Sequence, residues 1–200
     1  KLYFLIGIPN ETQEDIEELA IYIKYLDSLK SKVESKFKFN SNTNTNTNTN
    51  TNTNTNKNSV KFSSIKFSVN PLIPKPHTPL QWERYDLKDI KTKTRYLKSK
   101  LKNITINFHS PKMGLIQYVL SCKGREVGKL LEKSLEKRIG IREWEKYSSG
   151  YDLEDELPWK NIDIHLNENF LKKEYEKLKK GKTTPWCVEN PCYNCRSCNK

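Results

Sequence analysis

The chain has 200 residues, a mass of 23.6 kDa and a mean hydropathy of −0.85, the size of one domain with an appendage. Only 34% of its residues are apolar, and no apolar run approaches the roughly 18 residues of a membrane span. This excludes an integral helical membrane protein; with no secretory leader visible, a soluble, cytoplasmic protein is expected.

Lys and Arg outnumber Asp and Glu by 36 to 24, a net charge of +12. That balance suits a polyanionic partner such as RNA, and it equally suits lysines spread over every helix face with no partner at all. The chain opens on Lys1 rather than Met, as a processed, truncated or partly read product would.

The first element is the apolar run Leu2-Tyr3-Phe4-Leu5-Ile6, closed by Gly7-Ile8-Pro9-Asn10. Such a run reads as a strand buried on both faces, the kind found in parallel sheets. Thr12 caps a helix, with Asp15 three residues on and acidic residues in the first turn. Ile16, Leu19, Ala20, Ile23, Leu26 and Val33 continue at helical spacing. The Asn-Thr repeat that follows has no apolar face and cannot offset its ordering entropy, so a disordered insertion over 41–58 is expected. It stands between a helix and a strand, where extra length is cheap.

Residues 64–69 alternate, with Ile65, Phe67 and Val69 against Lys66 and Ser68, and predict a second strand. Four prolines in residues 70–79 then force an extended path. A polar amphipathic helix is expected over 86–102, and Ile104, Ile106 and Phe108 alternate as a third strand. The order βα–βα–β suits parallel pairing, in part of an α/β barrel or in an open doubly wound sheet. Beyond Pro111 the pattern turns helical. Val127, Leu130, Leu131, Leu135 and Ile139 form one apolar stripe; Phe170, Leu171, Tyr175 and Leu178 form another, with Gly181 placed as its C-terminal cap. Between them, Trp144, Leu153, Leu157, Trp159 and Ile162 are expected to pack onto the sheet.

Chemistry concentrates at the C-terminus, where Cys187-x4-Cys192-x2-Cys195-x2-Cys198 places four of the five cysteines in the last 14 residues. A disulfide scaffold would spread its cysteines to close large loops, so the clustering points to metal in a reducing compartment. Four thiolates serve zinc or an iron–sulfur cluster, and the compact spacing leans to the latter. Cys122, in an apolar stretch, reads as a buried structural cysteine. The turn at residues 7–12 lies at the C-terminal end of a strand, where α/β folds place ligands; the same residues also suit a plain turn. His77 and His109 follow strands and suit either a site or a solvated loop, and His165 reads as structural or exposed. No pair of carboxylates, Ser-His-Asp set or Gly-rich phosphate loop stands out, and the catalytic residues stay unknown.

Tyr3-Phe4-Leu5-Ile6-Gly7-Ile8-Pro9-Asn10-Glu11-Thr12 with its acidic helix start resembles the fifth strand and loop of radical S-adenosylmethionine (SAM) enzymes. Residues 68–82, from Ser68-Val69-Asn70-Pro71 through Pro76-His77-Thr78-Pro79 to Trp82, resemble the sixth-strand region of the branch related to methylthiotransferases and cobalamin-type radical SAM proteins. The ending Thr183-Thr184-Pro185-Trp186-Cys187 with its following cysteines is similar to the tail of an uncharacterised group in that branch. The resemblance implies an α/β fold: the C-terminal part of a partial (β/α) barrel over 1–110, a mainly helical extension over 111–182 and a Cys-rich metal-binding tail over 183–200. It implies SAM bound by Gly7, Pro9, Asn10, Glu11, Asn70 and Leu72, and a [4Fe-4S] cluster that cleaves SAM to start radical chemistry on an unknown substrate, with cobalamin as a further candidate cofactor. The family's Cys-x3-Cys-x2-Cys motif is absent from this sequence, so the partner implied is a missing N-terminal half of the same protein. The chain alone is then expected neither to bind the catalytic cluster nor to cleave SAM. The competing expectation is a basic RNA-binding module with a C-terminal zinc knuckle, compatible with Trp186, Tyr193 and Arg196 beside the cysteines. A third is a remnant with no function of its own.

Overall fold

A computed structural model describes residues 1–39, 65–188 and 192–198. The Asn-Thr insertion expected at 41–58 lies outside the described residues, as does Ser64. Those described form a mixed α/β structure with a small three-stranded parallel sheet and six α-helices.

Strand β1 (Leu2–Ile6) leads into helix α1 (Gln13–Phe39), strand β2 (Phe67–Pro71), helix α2 (Leu87–Lys100) and strand β3 (Ile106–Phe108). The sheet order is β1-β2-β3, parallel throughout, with Leu2 opposite Phe67, Ile6 opposite Pro71, and Phe67 opposite Ile106. The alternation at 64–69 therefore marks a strand that starts later and runs two residues further than expected, to Pro71. Pro71 is tolerated because it is the last paired residue, and the ladder continues past it through Leu72 N to Ile6 O at 2.8 Å.

Two burial expectations are corrected. β1 pairs only with β2 among the described residues, so it is an edge strand, with Leu2, Tyr3 and Leu5 exposed and Ile6 alone buried. In β2, Ser68 is as buried as its apolar neighbours Phe67 and Val69, because the central strand is covered on both faces. Its hydroxyl is satisfied locally, donating to Asn70 Oδ1 at 3.2 Å.

The helices form where their caps and stripes dictate. Thr12 and Asp15 exchange bonds at the start of α1: Asp15 Oδ2 accepts from Thr12 N at 2.7 Å, and Thr12 Oγ1 accepts from Asp15 N at 3.2 Å. Ile16, Ala20 and Ile23 form its buried stripe. α2 is capped by Asp86, whose Oδ1 accepts from Asp89 N at 2.9 Å, and it buries Leu87, Ile90, Lys93, Thr94 and Leu97. α3 (Pro111–Cys122) has Ser110 as its cap and Pro at its first position, where the missing N–H costs nothing. Helix α1 packs on α2, and α2 on α3.

A 3-10 turn (Arg125–Val127), α4 (Gly128–Glu136), α5 (Ile141–Glu145) and α6 (Glu168–Lys179) make up the extension. The stripe expected from Val127 to Ile139 is buried only at Val127 and Leu130; Leu131 and Leu135 are exposed, because α4 presents just its first turn to the core. The aromatic segment bonds to α3 and to the stretch just after the four prolines. Tyr118 Oη donates to Ser149 O at 2.7 Å, Tyr151 N donates to Trp82 O at 2.9 Å, and Trp159 Nε1 donates to the buried Gln81 Oε1 at 2.9 Å. Of that segment Ile162 stays exposed. α6 ends as its sequence dictates: Gly181 takes φ +64°, Gly181 N donates to Leu178 O and Lys182 N to Lys177 O, the paired bonds of a Schellman cap.

Candidate functional site

The turn after β1 is held from two sides. Gly7 has φ +83°, and a Cβ there would stand 3.0 Å from Ile90 Cγ1 of α2, so both backbone and space require glycine. Asn10 takes φ +66°, which asparagine tolerates better than most residues. Glu11 closes the turn on itself, its Oε2 accepting from Gly7 N at 2.8 Å while its own N–H reaches Ile8 O at 3.0 Å.

The same Oε2 meets Lys93 Nζ at 2.9 Å, with the two side chains only 8% and 10% exposed. Lys93 also holds Asp89 at 2.7 Å. Burial would lower the Lys93 ammonium, but hydrogen bonds and charge from Asp89 and Glu11 outweigh it and hold Lys93 above the ordinary lysine value. Asn10 Nδ2 donates to Leu178 O and Lys179 O at 3.1 Å each, so the turn also caps the last carbonyls of α6.

These contacts wall a cavity of about 370 Å³ at the carboxyl ends of β1 and β2, within the range of small-molecule sites. Gly7, Ile8, Pro9, Asn10 and Glu11 line it from one strand end, Leu72 and Pro74 from the next. Asn70 is not in its lining; it pairs with Leu5 inside the sheet and takes the Ser68 hydroxyl. The remaining wall comes from residues the sequence did not single out: the Glu83-Arg84-Tyr85-Asp86 approach to α2, Asp89, Ile90 and Lys93 on α2, and Lys179 on α6. Lys93 carried a signal, since it falls among Ile90, Thr94 and Leu97 on the buried stripe, where an unpaired lysine is not tolerated.

The lining holds four carboxylates, Glu11, Glu83, Asp86 and Asp89, against three cations, Arg84, Lys93 and Lys179. Glu83 Oε2 is met by Tyr175 Oη and Lys179 Nζ, each at 3.1 Å, and Asp86 by Arg84 at 2.9 Å. The cavity is thus slightly acidic in a chain of net charge +12.

His77 lies away from it and donates its N–H to Gln81 Oε1 at 3.0 Å; His109 Nε2 stands 3.3 Å from Asn107 Nδ2; His165 is exposed. Cys122 is fully buried and donates its thiol to Pro74 O at 3.2 Å, and burial pushes that thiol up to about 11. Cys187, Cys192 and Cys198 are exposed and Cys195 half-buried. Among the described residues no three His, Cys, Asp or Glu side chains come together as a metal-holding group.

Among those residues, no helix is long and apolar enough to cross a membrane. No family model matches the chain, and no solved structure matches it. It is similar to an uncharacterized protein of Methanocaldococcus jannaschii, at 31% identity over 170 residues, which is 81% of this chain and 30% of that relative. The chain therefore spans less than a third of the relative's length.

Proposed function

We propose that the chain is the C-terminal portion of a radical SAM iron–sulfur enzyme and that its strand-end cavity takes part of SAM. The observation that carries this is convergence. Two segments about 60 residues apart, each resembling a SAM-binding part of that family, line one cavity at the carboxyl ends of adjacent parallel strands.

The topology is compatible with the barrel form of the reading. Strand order β1-β2-β3 follows the chain without reversal, and α1, α2 and α3 pack on one another in succession. Right-handed crossovers in such an order put their helices on one face, as in a (β/α) barrel and equally in one half of a doubly wound sheet. The apolar faces of Ile8, Leu72 and Pro74 suit an adenosine, and the surplus of carboxylate suits a ligand carrying a sulfonium and an ammonium. That surplus also favours SAM over an RNA phosphate backbone at this place.

With SAM and a [4Fe-4S] cluster bound in the whole protein, the chemistry supplied is reductive cleavage of SAM to begin radical chemistry on a substrate. This chain's own part is positioning. Glu11 fixes the Gly7 turn, Lys93 neutralises Glu11, and Asn10 ties the turn to α6. The cluster's three-cysteine motif would then stand in a part of the whole protein outside this chain, and the match covers only 30% of the archaeal relative, which leaves room for one.

The test is the whole protein, purified without oxygen, reduced and given SAM. Release of 5′-deoxyadenosine is expected from it and not from residues 1–200 alone. A whole protein with its cluster intact that releases none overturns the reading.

A further inference from the structure

The tail beyond α6 is not absorbed by the SAM cavity, and its described residues make specific contacts with α6. It turns back along α6 after Gly181. Thr184 Oγ1 donates to both carboxylate oxygens of Glu174 at 2.6 Å, and Lys177 Nζ donates to Thr184 Oγ1 at 2.8 Å. Further on, Asn167 N donates to Cys195 O at 3.0 Å and Asn167 Nδ2 to Asn194 O at 2.9 Å, while Lys177 Nζ stands 5.5 Å over the Tyr193 ring. Thr184 is thus held beside Glu174 and Lys177, and Asn194 and Cys195 at Asn167, before the first turn of the helix.

Within that segment two successive turns share one construction. Asn194 N donates to Cys192 Sγ at 3.4 Å, and Ser197 N donates to Cys195 Sγ at 3.5 Å. Asn194 and Arg196 both take positive φ, +54° and +63°. Non-glycine residues rarely adopt that conformation; in the first turn it falls on the donor Asn194 itself and in the second on Arg196, just before the donor Ser197. A backbone donor on a cysteine sulfur stabilises the thiolate, and the thiolate is the metal ligand.

We infer that Cys187, Cys192, Cys195 and Cys198 bind an iron–sulfur cluster, distinct from the one that would activate SAM. The spacing selects the group. Structural zinc sites draw their ligand pairs from well-separated turns. Clusters take compact runs, and this tail shares the first three positions of two of them, Cys187-x4-Cys192-x2-Cys195 with the plant type and Cys192-x2-Cys195-x2-Cys198 with the bacterial type, while its fourth cysteine follows neither and the bacterial trailing Pro is missing. No three of these sulfurs are gathered among the described residues, and gathering them is the step the cluster itself drives, since bringing thiolates together is unfavourable until metal neutralises them. The place is also separate from the cavity. The cysteine turns dock at Asn167, before the first residue of α6, and Asn10 caps its last, a helix of 12 residues or about 18 Å away.

This inference does not rest on the SAM reading, because the chain carries no other cysteine cluster. The test uses residues 1–200, purified without oxygen and reconstituted with ferrous iron and sulfide. Expected are iron and acid-labile sulfide in equal amounts, about two to four of each per chain, with visible absorption that bleaches on reduction. Cys195→Ser and, separately, Cys198→Ser should lose most of the iron, and Cys122→Ala should keep it, each checked for unchanged far-ultraviolet dichroism. One zinc per chain without sulfide, no bound metal, or iron that survives both serine variants overturns the proposal. Deoxyadenosine release by the whole protein is a separate readout, so either idea can fail without the other.

Discussion

Glu11 is the residue on which the site turns, because one carboxylate oxygen serves both the Gly7 N–H and the Lys93 ammonium. Removing one member of a buried pair leaves the other charged and uncompensated, at a cost of about 3–5 kcal/mol. Glu11→Gln should sit at the low end, since Lys93 keeps Asp89, and it should be read as a lower urea midpoint at unchanged slope. Asp89→Asn, on a half-exposed partner, should cost no more than about 1 kcal/mol. Gly114 makes a second point prediction. A Cβ there would overlap the Tyr85 hydroxyl, which is buried and committed to Pro111 O at 2.8 Å, so Gly114→Ala should cost about 1–3 kcal/mol by overpacking. Cys122 makes a third: in the metal-free native chain a thiol reagent at mild pH should label the four tail cysteines and spare Cys122 until denaturation.

Between elements, the pH dependence of stability has two limbs with different owners. Lys93, joining α2 to the β1 turn, is held above its ordinary value of 10.5. A raised folded value gives stability that is complete below the unfolded value and lost as pH rises through the folded one. Cys122 at about 11 and Tyr151 and Tyr175 at about 12 have the same sign. Glu174, joining α6 to the tail, is the reverse. Burial would raise it, but Thr184 and Lys177 outweigh that and hold it below 4.5, so its contribution is present above the unfolded value and fades as pH falls. Lys93→Met should flatten the alkaline limb of a stability–pH curve and Glu174→Gln the acidic one, both measured by chemical denaturation. The elements themselves were legible where local chemistry decides them: the Thr12–Asp15 cap, the Gly181 terminus and the buried stripe of α1. What did not show was tertiary. Whether β1 is covered depends on its neighbours and not on its own apolar run, and Ser68 is buried because β2 is central. The far wall of the cavity comes from Glu83, Lys93 and Lys179, residues brought there from three places in the chain by packing alone.

For the molecule as a whole, β1 presents an edge that is unpaired among the described residues and bears exposed Leu2, Tyr3 and Leu5, and α1 adds exposed Ile21, Tyr22 and Tyr25. An open apolar strand edge invites pairing with another chain. Residues 1–200 on their own should therefore self-associate with rising concentration in sedimentation velocity, and Tyr3→Lys with Leu5→Lys should suppress this without loss of helical dichroism. The other feature of molecular reach is the Asn10 amide, whose two hydrogen bonds close the end of α6 while its backbone walls the cavity. A ligand that recruited this amide would take a donor from the Lys179 carbonyl and one of the donors from Leu178 O, on the helix that carries the cysteine tail, and one that left it in place would not. By thermodynamic reciprocity, loosening the tail must then change affinity in the first case and leave it untouched in the second. Cavity and tail are therefore either linked or independent according to the allegiance of one side chain.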